Sequence, residues 1–264
     1  MNVFYYDKSF DGLLSAVFDA YRDKTFPDAL LALDDVPPLL ATRAHTVITG
    51  PDKAGRVFRG LRKRLTRRAG SALMLAWMSE QPGSDLLLFR YMRKVFDSPG
   101  PVDLDYADND VFAVSRLAEQ VNRERHLLLG FARFQKTADG LYFAALSPKY
   151  NILPLMLPHF ADRFGRQQWI LYDAARGYGA FFDGNGFQDV TLAPDSLRDG
   201  RLQDALLAED EKLFQELWKS YFKAMAIKER LNPALQRRCM PRRYWAFLTE
   251  KQEQGQPPNT SFVR

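Results

Sequence analysis

The closing part of the chain, residues 229–250, combines arginines with aromatic side chains in a pattern that could bind nucleic acid. Guanidinium groups clamp phosphates in a fixed fork geometry, and aromatic faces stack on bases. A basic helix end followed by an aromatic plug into the protein core would have the same composition, so both interpretations stay open. The candidate nucleic-acid-binding residues of this segment are Arg230, Arg237, Arg238, Arg242, Arg243, Tyr244 and Trp245.

A second basic group lies within residues 53–68, a stretch that contains no acidic residue. Its periodicity predicts a helix over 51–67 with apolar residues along one side. The opposite side carries Arg56, Arg59, Lys63 and Arg67, at spacings of 3, 4 and 4. A solvated helix face usually mixes lysine, arginine and glutamate, whereas this arginine bias favours contact with phosphates. A plain solvated face and a contact with an acidic protein are the alternatives.

Three residues are candidates for proton transfer: His159, Asp162 and Asp173. His159 and Asp162 have helical spacing, and Asp173 lies in a turn that follows, so the group could act as acid and base. A structural ion network is the alternative. Metal binding is not indicated, because three widely separated histidines offer no zinc spacing. The chain also lacks phosphate-binding-loop and nucleophile-elbow motifs, so we predict no cofactor within it.

The composition is that of a globular protein, with 264 residues, 46% of them hydrophobic and 26% charged. Cys239 is the only cysteine, which excludes internal disulfides and fits a reducing cytoplasm. The sequence contains no apolar run long enough to span a membrane, and the opening MNVFYYDKSF lacks the pattern of a secretion signal. We therefore predict a cytoplasmic protein with no membrane contact. The net charge of +5 is concentrated in basic stretches, which favours polyanionic partners.

The order of the predicted elements indicates an α+β protein with a mostly antiparallel sheet of about five to seven strands, packed with helices, plus a helical lobe. Strands are predicted at 2–6, 42–49, 126–136, 141–146, 169–172, 178–182 and 187–192. The longer predicted helices cover 10–24, 51–67, 71–78, 84–96, 109–125 and 210–231. We expect one compact domain over 1–252, with a helical lobe at about 50–125 as the alternative. The polar residues 253–264 are expected to form a mobile tail.

Several segments resemble a bacterial family described as probable DNA metabolism proteins, a domain of unknown function. The resemblance rests on FYYDKSFDGLLSAVFDAY at 4–21, GFARF at 130–134, ILPLMLPHFADRF at 152–164, WILYDAARG at 169–177 and KERLNPALQRRCMPRRYW at 228–245. It covers nearly the whole chain except the tail.

The resemblance implies a context more than an activity. Members are typically encoded beside a radical-SAM protein assigned to DNA modification or repair, and related domains are fused to uracil-DNA-glycosylase-like domains. With Cys239 as its only cysteine, this chain cannot hold a cysteine-ligated iron–sulfur cluster. Any such cluster, and S-adenosylmethionine, would therefore be bound by the partner. The family supplies no catalytic residues that could be assigned here.

These observations lead to three hypotheses. The first is an accessory protein of DNA repair or modification that binds DNA through its arginine-rich surfaces and works with a radical-SAM partner. The second is an enzyme that acts on a nucleobase or nucleotide through the region of His159, Asp162 and Asp173. The third is an interaction module that docks an acidic partner without contacting DNA. The sequence leaves open whether the protein is an enzyme.

Overall fold

The computed structural model describes residues 1–103, 105–193, 196–198 and 201–251. The predicted tail at 253–264 lies outside these residues. The chain divides into two compact units, which we call the N-terminal unit (residues 1–123) and the C-terminal unit (residues 124–264). The division falls within a long helix, so the number of independently folding domains stays a prediction.

The N-terminal unit is built on a three-stranded parallel sheet with the order β2-β1-β3. Its strands are β1 (Asn2–Tyr6), β2 (Ala29–Ala32) and β3 (Arg43–Thr46). Parallel neighbours need a crossover, and α1 (Phe10–Arg22) provides it between β1 and β2. The sequence predicted β1 and β3 but missed β2, whose residues ALLA are all apolar and show no alternation.

Helices pack around this sheet and bury a hydrophobic core. They are α2 (Pro51–Arg64), α3 (Arg67–Trp77) and α4 (Ser84–Asp97), followed by α5 (Asn109–Phe131), which contains the division between the units. The predicted start of α1 is confirmed, since the Ser9 hydroxyl accepts a hydrogen bond from the Gly12 N–H at 2.9 Å. The core of this unit includes Leu13, Val17, Leu61, Leu88 and Met92.

Gly12 allows a close approach at the start of α1. The Asp7 carboxylate accepts hydrogen bonds from the Ser9 N–H at 3.0 Å and from the Thr49 hydroxyl at 2.9 Å. A Cβ atom at position 12 would lie 2.1 Å from Asp7 Oδ1. Glycine is therefore required here if the carboxylate is to tie the end of β1 to the segment that follows β3.

The C-terminal unit contains a five-stranded sheet with the order β4-β5-β6-β7-β8. The strands are β4 (Gln135–Lys136), β5 (Tyr142–Leu146), β6 (Trp169–Asp173), β7 (Tyr178–Phe182) and β8 (Phe187–Val190). Only the β5–β6 pair of this sheet is parallel, because α6 (Leu153–Phe164) connects these strands. The predicted α+β class, with helices around a mostly antiparallel sheet, is confirmed.

The last part of the chain is helical and irregular. After a short hairpin, β9 (Leu197–Arg198) and β10 (Arg201–Leu202), come α7 (Glu211–Ala224) and α8 (Pro233–Cys239). Short 3₁₀ segments follow at Arg242–Phe247 and Thr249–Lys251. Across the described part of the chain, no helix has both the length and the apolar character needed to cross a membrane.

Two predicted elements near or within the C-terminal unit were wrong in extent. The predicted strand at 126–136 is helical up to Phe131, and only Gln135–Lys136 pair in the sheet. An apolar run without a turn signal can continue a helix as well as form a strand, and extending a helix needs no new nucleus. The predicted helix at 210–231 ends at Ala224, although its apolar periodicity continues beyond that residue.

Candidate nucleic-acid interface

Six basic residues project from α2 and from the first turn of α3, and we call them the α2–α3 basic surface. Ala54, Val57 and Leu61 are the buried residues of α2 and belong to the core of the N-terminal unit. The six side chains are all exposed. They are Arg56, Arg59, Arg62, Lys63, Arg67 and Arg68.

The surface is formed by two helices and not by one. The predicted helix at 51–67 was wrong at its end, because Leu65 is extended and the Thr66 hydroxyl caps α3. Arg56, Arg59 and Lys63 share the predicted face of α2, whereas Arg67 is the first residue of α3. Arg62 belongs to α2 but lies outside the predicted face, and Arg68 follows Arg67 in the first turn of α3.

Ion pairing separates this surface from the cations of α4 in the same unit. Among the described residues, none of its six members forms an ion pair with a carboxylate. By contrast, the cations of α4 are all paired: Arg90 with Asp110 at 2.9 Å, Arg93 with Asp97 at 3.2 Å and Lys94 with Asp110 at 2.9 Å. The α2–α3 basic surface therefore keeps its full positive charge for an external anion.

Arg64 lies beside this surface but has another function. Its guanidinium donates to the carbonyl oxygens of Val95, Phe96 and Ser98, at distances of 2.9–3.3 Å. These carbonyls lie at the end of α4, where helical carbonyls lack partners within the helix. Arg64 thus holds α2 against α4, and we do not count it among the six.

In the C-terminal unit, all five predicted arginines are exposed; Arg243 pairs with Glu124, and the other four lie in or beside α8. Arg237 and Arg238 lie in the last turn of α8, while Arg230 and Arg242 lie in 3₁₀ segments before and after it. None of the four forms an ion pair with an acid within the described part of this unit. We call Arg230, Arg237, Arg238 and Arg242 the α8 basic surface. Cys239, at the end of α8, is also exposed.

Tyr244 is buried and serves as an anchor. Its ring is 1% exposed, and its hydroxyl donates to Glu124 Oε1 at 2.5 Å. Glu124 also accepts from the N–H groups of Lys149 and Tyr150, and from the Arg243 guanidinium at 3.0 Å. Burial raises the pKa of Tyr244, and the bond to Glu124 raises it further. Tyr244 offers no ring face to a base in this arrangement, and the Glu124 contact partly occupies Arg243.

Trp245 is the candidate for base stacking that retains partial exposure. Its indole N–H donates to the Met240 carbonyl oxygen at 2.9 Å, which fixes the ring. The Arg242 guanidinium lies 5.7 Å from the ring centre and the Lys251 ammonium lies 5.0 Å from it. The sequence placed Tyr244 and Trp245 in one role, whereas their burial separates them.

The proposed acid–base group is not brought together. His159 and Asp162 are exposed on α6, and no described hydrogen bond or ion pair joins either of them to Asp173. Asp173 is fully buried and accepts from the Ala175 and Arg176 N–H groups and from the Arg176 guanidinium at 3.0 Å. Burial raises the pKa of Asp173, while Arg176 opposes that rise. These contacts close the turn between β6 and β7.

Metal binding finds no support in the described ranges, where no three His, Cys, Asp or Glu side chains are grouped so that they could hold an ion.

Comparison with known proteins gives one match. The model of a family described as a domain of unknown function, DUF4130, matches residues 82–250, which is more than half of the chain. No curated protein and no solved structure matched. The matched range begins just before α4, so it includes the α8 basic surface and the Tyr244 anchor. The α2–α3 basic surface lies before it.

Proposed function

Because the chain belongs to the DUF4130 family of domains of unknown function, its function must be sought in its own surfaces, and we propose that it is an accessory protein of DNA metabolism that binds nucleic acid. The observation that carries this proposal is the α2–α3 basic surface, where six exposed cations lie together without an ion pair among the described residues. Five of the six are arginine, the side chain whose planar fork fits phosphate.

The spacing along α2 suits a phosphate backbone. Arg56, Arg59 and Lys63 extend over about 11 Å of helix at a rise of 1.5 Å per residue. One DNA strand carries a phosphate about every 3.4 Å along the duplex axis, so this length covers roughly three phosphates. Such contacts position a protein on DNA without reading its sequence. We therefore propose binding that depends on the backbone and not on a base sequence.

The α8 basic surface supplies a second set of contacts in the C-terminal unit. Arg237 and Arg238 are adjacent in the last turn of a short helix, and Arg242 follows after Pro241. Trp245, held by its bond to Met240, would stack on an unpaired base. The Tyr244–Glu124 anchor keeps this segment in place.

The resemblance to the DNA metabolism family adds a partner to the proposal. A radical-SAM enzyme would carry out the chemistry, with its iron–sulfur cluster and S-adenosylmethionine, while this chain would hold the nucleic acid. The exposed Cys239 is the only cysteine of the chain, which is consistent with this division of labour. No observation favours the alternative enzyme, since His159 and Asp173 are not joined.

The test is a salt titration of DNA binding with two matched variants. Arg59→Gln/Lys63→Gln removes two unpaired charges from the α2–α3 basic surface, and Arg90→Gln/Arg93→Gln removes two paired charges from α4 of the same unit. Both reduce the net charge by two. Affinity for a labelled duplex is measured by fluorescence anisotropy from 50 to 200 mM salt, conditions under which backbone binding changes by orders of magnitude.

We expect the first variant to lower the slope of log affinity against log salt by about 1.8, at about 0.9 per lost phosphate contact, and the control to leave it unchanged. Equal slopes for both variants would refute phosphate contact at this surface. If the first variant then loses binding to the radical-SAM protein but not to DNA, the surface docks an acidic protein instead.

A further inference from the structure

An aromatic side chain of α2 is exposed within the α2–α3 basic surface. Phe58 is 38% exposed, whereas Ala54, Val57 and Leu61 of the same helix are 2–7% exposed. Single exposed phenylalanines are common in proteins, so exposure alone carries no meaning. The charge around the Phe58 ring is what distinguishes it.

Two arginines of the basic surface lie next to Phe58. Arg59 follows it in the chain, and Arg62 lies one turn later on the same side of the helix. Neither guanidinium forms an ion pair with a carboxylate of the described residues. The exposed ring is therefore flanked by positive charge that is available to an external anion.

Gly55 keeps the space between Phe58 and Arg59 free of a side chain. Three residues make slightly less than one turn of an α-helix and four make slightly more, so Gly55 lies between these two residues around the helix axis. A Cβ atom at position 55 would lie 3.2 Å from Arg59 Nη1, so the Arg59 guanidinium extends back along the helix to the glycine. Phe58 and Arg59 thus present two planar groups side by side, and no side chain of the preceding turn separates them.

An aromatic ring and a guanidinium are the planar groups on which unpaired bases stack. In a duplex the base faces are already stacked on one another, so a ring on a protein surface has no base face to contact. In a single strand a base can turn toward the ring while its phosphates remain on the arginines. Every base has such a face, so this contact reads no sequence and agrees with binding through the backbone.

We propose that the α2–α3 basic surface binds single-stranded nucleic acid more tightly than duplex, with the Phe58 ring as the platform for one base. This inference rests on the proposed function, because it names the form of nucleic acid that the surface binds. Arg59 and Arg62 hold the phosphates on either side of the stacked base. Duplex binds to the same surface through phosphate contacts alone, and therefore more weakly.

The test compares two exposed phenylalanines of the N-terminal unit. Phe58→Leu removes the stacking ring and keeps an apolar side chain. Phe112→Leu makes the same change on α5, where Phe112 is 51% exposed and lies one turn after the acidic Asp108. Fluorescence anisotropy measures the binding of labelled oligo(dT), oligo(U) and duplex DNA, each about fifteen nucleotides long, at about 50 mM salt. Circular dichroism verifies that all variants are folded.

We expect the wild type to bind single strands about tenfold more tightly than duplex, the contribution of one base stacked on an aromatic ring. Phe58→Leu should weaken single-strand binding by about tenfold and leave duplex binding unchanged. Phe58→Trp retains a stacking ring and should keep the affinity of the wild type. Phe112→Leu should change neither affinity. Equal losses for oligo(dT) and oligo(U) would assign the surface to both sugars, and a loss for one alone would assign it to that sugar.

Equal affinity of the wild type for single strands and duplex would overturn the proposal. Equal losses for Phe58→Leu and Phe112→Leu would also overturn it, as would a Phe58→Leu variant that loses duplex and single-strand binding by the same factor. A Phe58→Trp variant as weak as Phe58→Leu would exclude stacking. Failure of the proposed function is distinct, because Arg59→Gln/Lys63→Gln would then leave the salt dependence of every nucleic acid unchanged.

Discussion

Tyr244→Phe provides a direct test of the anchor that holds the closing segment. The change deletes one hydroxyl and leaves the ring, which is 1% exposed, in place. The lost bond is 2.5 Å long and joins a buried phenol to a buried carboxylate. Hydrogen bonds to charged groups contribute about 1.5–3 kcal/mol, so we expect a loss of about 2 kcal/mol in the free energy of unfolding. The melting temperature should fall by roughly 4–8 °C for a protein of this size.

The carboxylate is what makes this bond costly to lose, and a double-mutant cycle isolates its contribution. Glu124→Ala removes the acceptor of Tyr244, of Arg243 and of two backbone N–H groups, so it should destabilise more, by about 4 kcal/mol. In that background Tyr244→Phe breaks only the bond that the Tyr244 hydroxyl accepts from the Arg243 guanidinium, and it should lower the free energy of unfolding by only about 0.5 kcal/mol. The coupling between the two positions is therefore expected to be about 1.5–2 kcal/mol.

Urea unfolding followed by intrinsic fluorescence measures all four proteins of the cycle. Tyr106→Phe is the matched control, because Tyr106 is 45% exposed and its hydroxyl has no hydrogen bond among the described residues; it should change stability by less than about 0.5 kcal/mol. Additive effects of Tyr244→Phe and Glu124→Ala would refute the assignment of Tyr244 as an anchor.

Two further perturbations follow from contacts in the two units. The Glu250 carboxylate is held by Arg133 at 2.6 Å. Burial acts to raise the pKa of Glu250, but the hydrogen bonds from Arg133 and Trp218 together outweigh burial, and the pKa is lowered from 4.5. Glu250→Gln should therefore lower the free energy of unfolding by about 2 kcal/mol above pH 4.5. The difference from the wild type should shrink as the pH falls through the lowered pKa of Glu250, because the wild type then loses its charge as well. A difference that stays constant in urea unfolding across this pH range would contradict the prediction. Gly12→Ala should lower the free energy of unfolding in urea by about 1–2 kcal/mol, because the new Cβ displaces the Asp7 carboxylate. The control is Gly70→Ala, where a Cβ meets no atom within 4 Å and the change should be neutral or stabilising. Equal losses of stability in the two variants would refute the clash at Gly12.

Much of the secondary structure could be predicted from local patterns. The Ser9 cap and the apolar period of α1 identified the first helix, and alternation with turn glycines identified β6, β7 and β8. The errors lie where local signals were ambiguous. The apolar run after residue 125 continued a helix, and β2 is wholly apolar and shows no alternation.

The candidate site was predictable in type and only partly in its members. Clustered arginines without acids could be recognised from residue types, but Arg67 and Arg68 belong to α3, a second helix that begins after the turn at Leu65 and Thr66 and that a single helical wheel did not include. The proposed acid–base group stays a prediction. His159 and Asp173 are near in sequence, yet one is exposed and the other lies in a closed turn.

The sequence by itself determined the α+β class and where positive charge is concentrated, because periodicity and charge density are properties of short segments. Only the tertiary structure decided which charges remain unpaired and which aromatic ring is buried. Arg243 meets Glu124 across 119 residues, while Arg237 and Arg238 meet no described acid. Tyr244 and Trp245 are neighbours in sequence, yet only Tyr244 is fully buried. Ion pairs and burial depend on contacts between distant segments, and these arise only when the chain has packed.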